Sequence, residues 1–516
     1  MLFSALFLLR AGFFGFSYYP MLDDFIQYRV YSFYENPFKD VILRIGLLSS
    51  RPLAGFTDVF VISRFWNNLS AAYFLLTLAY ITSCLIFHRI LSKYLRCGYS
   101  FLIFFALAPF LLEGIYWISA SSRLVIGLFF AALSALSLDL YFVRKKIHFL
   151  LPFAVLNLLS YGLYEQIAIL SFLVSVLIIF LNRPKKITSI YLIPLINCAV
   201  IGFFYLFVRT GASLSSSRIR LAPFFSGYSA HISGVFFGFC DAVKACVKIT
   251  LNGFMSGLNL YFDGYGYLLL LLSVILLIFL FHLLKVKLPT PRAICAIVGI
   301  IIFILALLPY LLLSGSPITL RGMLVPIFGL ALAADYLIRI AFKKKKWLHA
   351  AALTIVAFVF LTAGIGETWA YTNSAREDMA SLNALNEYLS DKNIKNDEKI
   401  ALVGAPEYYS DAVPFYEHIY STFSSQWALS GALRALSNDS IKYAVYPIRQ
   451  EAYLHSGYDD FEGYSRYFAA SGQNYFKLTA EIKEDIIAFY GEDGELFCEI
   501  KKRSDGYYAG KIQKIR

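Results

Sequence analysis

Apolar residues run along this chain in long blocks, broken by short polar intervals. Eleven blocks stand out, at about 1–19, 69–88, 99–116, 122–143, 147–163, 166–182, 187–208, 265–284, 293–313, 319–340 and 347–368. A helix needs about 20 mostly apolar residues to cross the hydrocarbon core of a bilayer. The pattern therefore predicts an α-helical polytopic membrane protein with about 11 transmembrane helices. Between the blocks lie two larger regions, about 19–68 and 209–264. In the first, residues 37–48 (PFKDVILRIGLL) alternate at helical period, as in a helix lying on a membrane surface. The second opens with GASLSSSRIR and continues as an amphipathic stretch from His231 to Leu260.

Past residue 370 the pattern changes. A helical stretch at 373–390 is followed by short β-type runs: KIALVG at 399–404, YAVYP at 443–447, IIAFY at 486–490 and LFCEI at 496–500. GEDG at 491–494 joins the last two as a hairpin. The division is thus a membrane domain over 1–369 and a small soluble α/β or α+β domain over 370–516.

Composition agrees. The chain is 59% hydrophobic and only 16% charged, against about a quarter charged in a typical soluble domain. Its mean hydropathy is +0.63. A net charge of +12 raises the question of nucleic acid, but the basic residues sit in clusters between apolar blocks and no nucleic-acid motif accompanies them. No nucleic-acid partner is expected. The seven cysteines form no CxxC and no disulfide framework.

The clusters orient the chain. Arg89, Lys93 and Arg96 follow the second block, Arg144 to Lys146 the fourth, and Arg183, Lys185 and Lys186 the sixth. Lys285, Lys287 and Arg292 follow the eighth, and Arg339 with Lys343 to Lys346 the tenth. These loops carry no Asp or Glu. Cytoplasmic loops concentrate Lys and Arg, so every even block is expected to end in the cytoplasm. That gives a multi-pass cell-membrane protein with a cytoplasmic amino terminus and an extracytoplasmic carboxy-terminal domain. Arg10, inside the first block, either snorkels, faces the protein interior, or marks a start that lies upstream.

With that orientation the candidate chemistry falls on one face. Asp23-Asp24, in YYPMLDDFIQY, can act as a general base, bind a divalent cation or orient an acceptor hydroxyl. The competing reading is ordinary solvated polarity after a helix. Arg51, in SRPL, can clamp a phosphate through paired hydrogen bonds or simply meet lipid headgroups. Glu113 ends the third block beside Tyr116 and Trp117, where an interfacial aromatic belt is the alternative. Glu165, in SYGLYEQIAIL, sits between two apolar runs with almost no loop, and an ionisable group at such depth points to function. Its neighbours Tyr164 and Gln166 could hydrogen-bond a sugar. Arg218, Arg220 and Arg321 complete the set as phosphate ligands or interfacial anchors. No HExxH, Walker or GxSxG element appears in a suitable setting.

This arrangement resembles the GT-C superfamily of polytopic membrane glycosyltransferases. The resemblance rests on the acidic pair Asp23-Asp24 in the first external loop, the SRPL turn with Arg51, and Tyr164-Glu165-Gln166 after a short span. These are similar to features of bacterial polyprenyl-phosphate-sugar-dependent glucosyltransferases that modify surface glycans. It implies a GT-C-like fold and transfer of a hexose from a polyprenyl-phosphate donor to an extracytoplasmic glycan, lipid or cell-wall polymer. Asp23 or Asp24 would be the catalytic base, with Glu165 in the catalytic set. Arg321, with Arg218 or Arg220, would hold the donor phosphate, and Arg51, Glu113, Tyr164 and Gln166 would line the substrate site. No nucleotide is implied; a divalent cation, Mg2+ or Mn2+, would sit on Asp23 and Asp24 if one is used. Two other classes compete: a lipid-linked saccharide flippase or transporter, which would place ionisable groups near the midplane, and a non-catalytic membrane scaffold.

Overall fold

The computed structural model describes residues 2–43, 51–182, 189–211, 227–286, 290–313, 318–343, 345–406, 420–449, 464–483, 486–502 and 508–509. Helices dominate the first part: α1 (Leu2–Gly12), α2 (Asp23–Tyr28), α3 (Leu69–Leu95), α4 (Tyr99–Ala106), α5 (Ile118–Arg144), α6 (Leu150–Tyr161) and α7 (Glu165–Asn182). They continue with α8 (Leu192–Gly211), α9 (Tyr228–Phe262), α10 (Gly266–Lys285), α11 (Ala293–Ala306), α12 (Leu324–Ala341) and α13 (Lys346–Ser390). One further helix, α14 (Gln426–Leu436), lies among seven strands.

Each of the eleven apolar blocks contains helix, but they are not equivalent. Seven helical segments are long and apolar enough to cross a membrane among the described residues: Leu53–Leu95, Ile118–Arg144, Glu165–Asn182, Gly266–Lys285, Ala293–Leu312, Arg321–Ala341 and Lys346–Ser390. The third block is a pair, Tyr99–Ala106 and Pro109–Tyr116, bent by 53°. Pro109 explains the break: Ala108 before it is pushed to an extended conformation (ψ 123°), and the helix restarts with proline in its first turn. The first and fifth blocks hold shorter apolar helices, Phe3–Gly12 and Ile147–Tyr161, and the seventh holds the apolar stretch Leu192–Phe203 of α8. Among the described residues seven spans, or eight with the bent pair, are thus found of the about 11 expected.

The chain separates into two units. Among the described residues, one contains those through Ser17 and Asn36–Trp369; the other contains Tyr18–Glu35 and those from Ala370 onward. The helical unit thus closes at Trp369, and residues 18–35 cluster with the carboxy-terminal unit.

The helical unit is capped and packed in recognisable ways. The Asn68 side chain accepts from Ala71 N–H at 3.2 Å and starts α3. The helix stops where Arg96 turns left-handed at φ 58°, and α5 stops the same way at Lys145, φ 55°. Small residues let helices touch. A Cβ at Gly257 of α9 would collide with the Thr362 carbonyl of α13, and one at Gly366 with the Gly253 carbonyl. Gly257→Leu is expected to destabilise the helical unit by about 1–3 kcal/mol or more through overpacking. A thermal unfolding midpoint in detergent equal to that of the unsubstituted protein would contradict this packing account.

Arg10 resolves to one of its alternatives. Its side chain is buried (1% exposed), with the guanidinium 4.2 Å from the Phe7 ring centre and the Cδ against Gly364. The opposite surfaces of several helices are apolar and open: Phe236 and Phe237 on α9, Leu270 and Phe281 on α10, Ile297 and Ile304 on α11 are all more than half exposed.

In the carboxy-terminal unit the strands are β1 (Lys399–Ala405), β2 (Ala444–Arg449), β3 (Arg466–Ser471), β4 (Asn474–Ile482), β5 (Ile486–Tyr490), β6 (Leu496–Lys502) and β7 (Tyr508–Ala509). They form one sheet in the order β2-β1-β3-β4-β5-β6-β7. β1 runs parallel to β2 and β3; the remaining pairs are antiparallel. The expected 486–490/496–500 hairpin is present, with Gly494 at φ 79° in its turn. β3 and β4 were not anticipated. The predicted helix at 373–390 is the continuation of α13, which runs unbroken across the change from apolar to polar composition.

Candidate functional site

The sequence candidates assemble into two groups, one in each unit. In the helical unit, Pro52 begins a short helix (Pro52–Phe56) and places Arg51 at its N-cap. Leu53 N–H donates to Gly162 O at 3.3 Å. The turn at Arg51–Leu53 is thereby docked on the elbow between α6 and α7, where Tyr164 and Glu165 lie. Arg51 Nε meets both Glu165 oxygens, at 2.9 and 3.1 Å, and its guanidinium carbon sits 4.2 Å from the Tyr164 ring centre. Glu165 opens α7, so the positive end of the helix dipole also favours its charge. Burial works against the Arg51 cation, but the Glu165 carboxylate outweighs it and holds the guanidinium above even its ordinary range.

Arg321 belongs to the same constellation. It starts the turn Arg321–Met323 that leads into α12. Its Nη1 is 3.9 Å from Glu113 Oε1, and its guanidinium carbon is 5.0 Å from the Trp117 ring centre. Glu113 is completely covered, whereas the Arg321 side chain is 20% exposed. Tyr310 sits within electrostatic reach of Arg321, Arg51, Tyr164 and Glu165. Its hydroxyl occupies the space that a side chain at Gly322 would need. Five predicted residues from distant parts of the sequence (Arg51, Glu113, Tyr164, Glu165 and Arg321) therefore share one neighbourhood with Trp117 and Tyr310. Two cations and two carboxylates balance there.

Gln166 faces elsewhere: its Nε2 donates to Ala306 O at 2.9 Å in the helix interior. That bond ties α7 to α11. Arg218 and Arg220 lie outside the described residues. Tyr310 was missed by sequence reasoning, since a tyrosine in LLPYLLL reads as one more apolar residue. The buried pair Asp58–Arg123, at 3.0 Å, was missed for a similar reason.

The acidic pair is in the other unit. Leu22, just before it, has φ 45° and ψ −110°, a left-handed conformation that a leucine rarely adopts. Its N–H donates to Thr422 Oγ1 at 3.3 Å. Thr422 is itself fixed: its N–H donates to both Asp378 oxygens, at 3.1 and 3.0 Å. α2 then packs on α14, with Ile26 filling the space left by Gly431. Asp24 is fully buried, and its Oδ2 accepts from the Tyr18 hydroxyl and from Met21 N–H. Asp23 is only partly buried. The two carboxylates, equivalent by sequence, are distinct in structure.

No family model, curated protein or solved structure matches this chain.

Proposed function

We propose that this protein is an integral membrane glycosyltransferase that moves a sugar from a polyprenyl-phosphate donor to an extracytoplasmic glycan, lipid or cell-wall polymer. The observation that carries the reading is the convergence of Arg51 and Arg321 with Glu165, Glu113, Tyr164 and Tyr310. Paired guanidinium donors suit a phosphate, and aromatic faces suit the apolar face of a sugar or the first units of a polyprenyl chain. The open apolar faces of α9, α10 and α11 supply the surface that lipid would solvate.

In this reading Arg321, open on one side and backed by Glu113, holds the donor phosphate. It stabilises that phosphate as the bond from the sugar anomeric carbon to the phosphate oxygen breaks. Glu165 holds Arg51 in place and is a positioning carboxylate, because both its oxygens meet Arg51 Nε. In the other unit Asp24 anchors the turn that bears Asp23, and the resemblance to the superfamily's acidic pair makes Asp23 the candidate base for the acceptor hydroxyl. Oδ2 of Asp24 already accepts from two donors, which leaves that oxygen poorly placed to hold Mg2+ or Mn2+.

The test is transfer from radiolabelled polyprenyl-phosphate hexose in proteoliposomes, scored by bond formation to an acceptor glycan. Glu165→Gln is expected to lower transfer at least tenfold by releasing Arg51. Movement of the labelled lipid across the bilayer with no new glycosidic bond would make the protein a flippase and end the enzyme reading.

A further inference from the structure

A second constellation lies apart from the candidate site, within the helical unit. Cys97 sits in the turn between α3 and α4, Cys295 in the first turn of α11, and Asp335 in α12. Both sulfurs and one Asp335 oxygen lie within 4.8 Å of one another. All three side chains are buried, with exposures of 3%, 1% and 0%. Each belongs to a helix end next to a basic cluster: Arg96 precedes Cys97, Arg292 precedes Cys295 and Arg339 follows Asp335. By the charge pattern these ends face the cytoplasm, where thiols stay reduced.

The carboxylate is held but not satisfied. Gly98 N–H donates to Asp335 Oδ2 at 2.8 Å, and Arg339 Nη1 approaches the same oxygen at 3.3 Å. Oδ1 has no hydrogen-bond partner and lies against the Cys97-Gly98 turn, where a Cβ at Gly98 would fall 2.8 Å from it. A fully buried carboxylate oxygen left unpaired is costly, and here it stands beside two thiols. We propose that Cys97, Cys295 and Asp335 bind a Zn2+ ion that ties α4, α11 and α12 together at this end of the bundle.

Charge accounting favours that ion. Asp335 and Arg339 already neutralise each other. Binding Zn2+ as the two thiols lose their protons exchanges two positive charges for two, so the buried site stays neutral throughout. Thiolates select a thiophilic ion over Mg2+ or Ca2+, and the Gly98 and Arg339 contacts are the outer contacts that orient a metal-binding carboxylate. His88 and His349 both lie within electrostatic reach of Asp335, and Nε2 of His349 has no hydrogen-bond partner; neither is in the close group of three.

Elemental analysis of the full chain, purified in detergent without chelator, tests the site. The expected result is one zinc per chain, lost in Asp335→Asn and in the double variant Cys97→Ser/Cys295→Ser. Equal zinc in the variants, or none in the unsubstituted chain after incubation with zinc and dialysis, would overturn it. So would a Cys97–Cys295 disulfide found by peptide mass mapping. If the variants do not fold, Co2+ loading of the unsubstituted chain decides: a thiolate-to-cobalt charge-transfer band that zinc displaces supports the site, and the lack of such a band refutes it.

Discussion

Replacing Arg321 with alanine is expected to lower sugar transfer by about 100- to 1000-fold, the usual cost of removing a donor that stabilises developing charge. Arg321 is the cation placed for this. It rests over Trp117 at 5.0 Å and keeps 20% of its side chain open, while its counterion Glu113 is fully covered. The same arrangement creates a complication that the design of the experiment must meet. Removing the arginine takes a cation neighbour from a buried carboxylate, which can destabilise the fold as well as the chemistry. Arg321→Ala should therefore be paired with Arg321→Ala/Glu113→Gln. The double variant is expected to recover thermal stability but not transfer. Arg321→Lys keeps the charge but loses the planar fork, and is expected to fall between the two. A double variant that is both stable and fully active would remove Arg321 from the donor site.

The acidic pair should separate into two phenotypes. Asp23→Asn is expected to lower transfer by about 100- to 10,000-fold, the range for loss of a general base, with the unfolding midpoint unchanged. Asp24→Asn is expected to cost about 1.5–3 kcal/mol of stability, the worth of hydrogen bonds to a charged group. Its Oδ2 accepts from both Tyr18 and Met21, and an asparagine offers one carbonyl oxygen and a donor where two acceptors stood. Initial rates and thermal unfolding of both variants settle the matter. Loss of transfer in a fully folded Asp24→Asn, with Asp23→Asn active, would exchange the two roles.

Much of the helical unit was legible because long apolar runs leave little choice of structure. The cost of burying backbone groups without internal hydrogen bonds favours helix. What such runs do not reveal is where a helix is interrupted. Pro109 marks the bend in the third block, and Gly12 and Gly15 (φ 70°) mark the end of α1 after eleven residues, but a reading of apolar run length passes over both. Among the site residues, those with a charge were findable, because a charge in an apolar setting is conspicuous. Tyr310 was not, since aromatic residues are abundant throughout. The identity of partners was also hidden: that Arg51 would meet Glu165, 114 residues further on, follows only from the docking of the Arg51–Leu53 turn on the α6–α7 elbow. In the sheet, β5 and β6 were visible as a hairpin around a glycine turn, while β3 and β4 carry mixed polar and aromatic residues that do not alternate cleanly. Assignment of residues 18–35 to the far unit was invisible, because it depends on contacts such as Leu22 with Thr422.

That last contact sets an order of assembly. Leu22 and Thr422 are separated by 400 positions. At a synthesis rate of about 5–20 residues per second, the turn bearing Asp23 emerges roughly 20–80 s before the threonine that fixes it exists. A nascent chain would thus hold this turn by its local Tyr18 and Met21 bonds alone until residue 422 has been made, and the turn would reach its final form only afterwards.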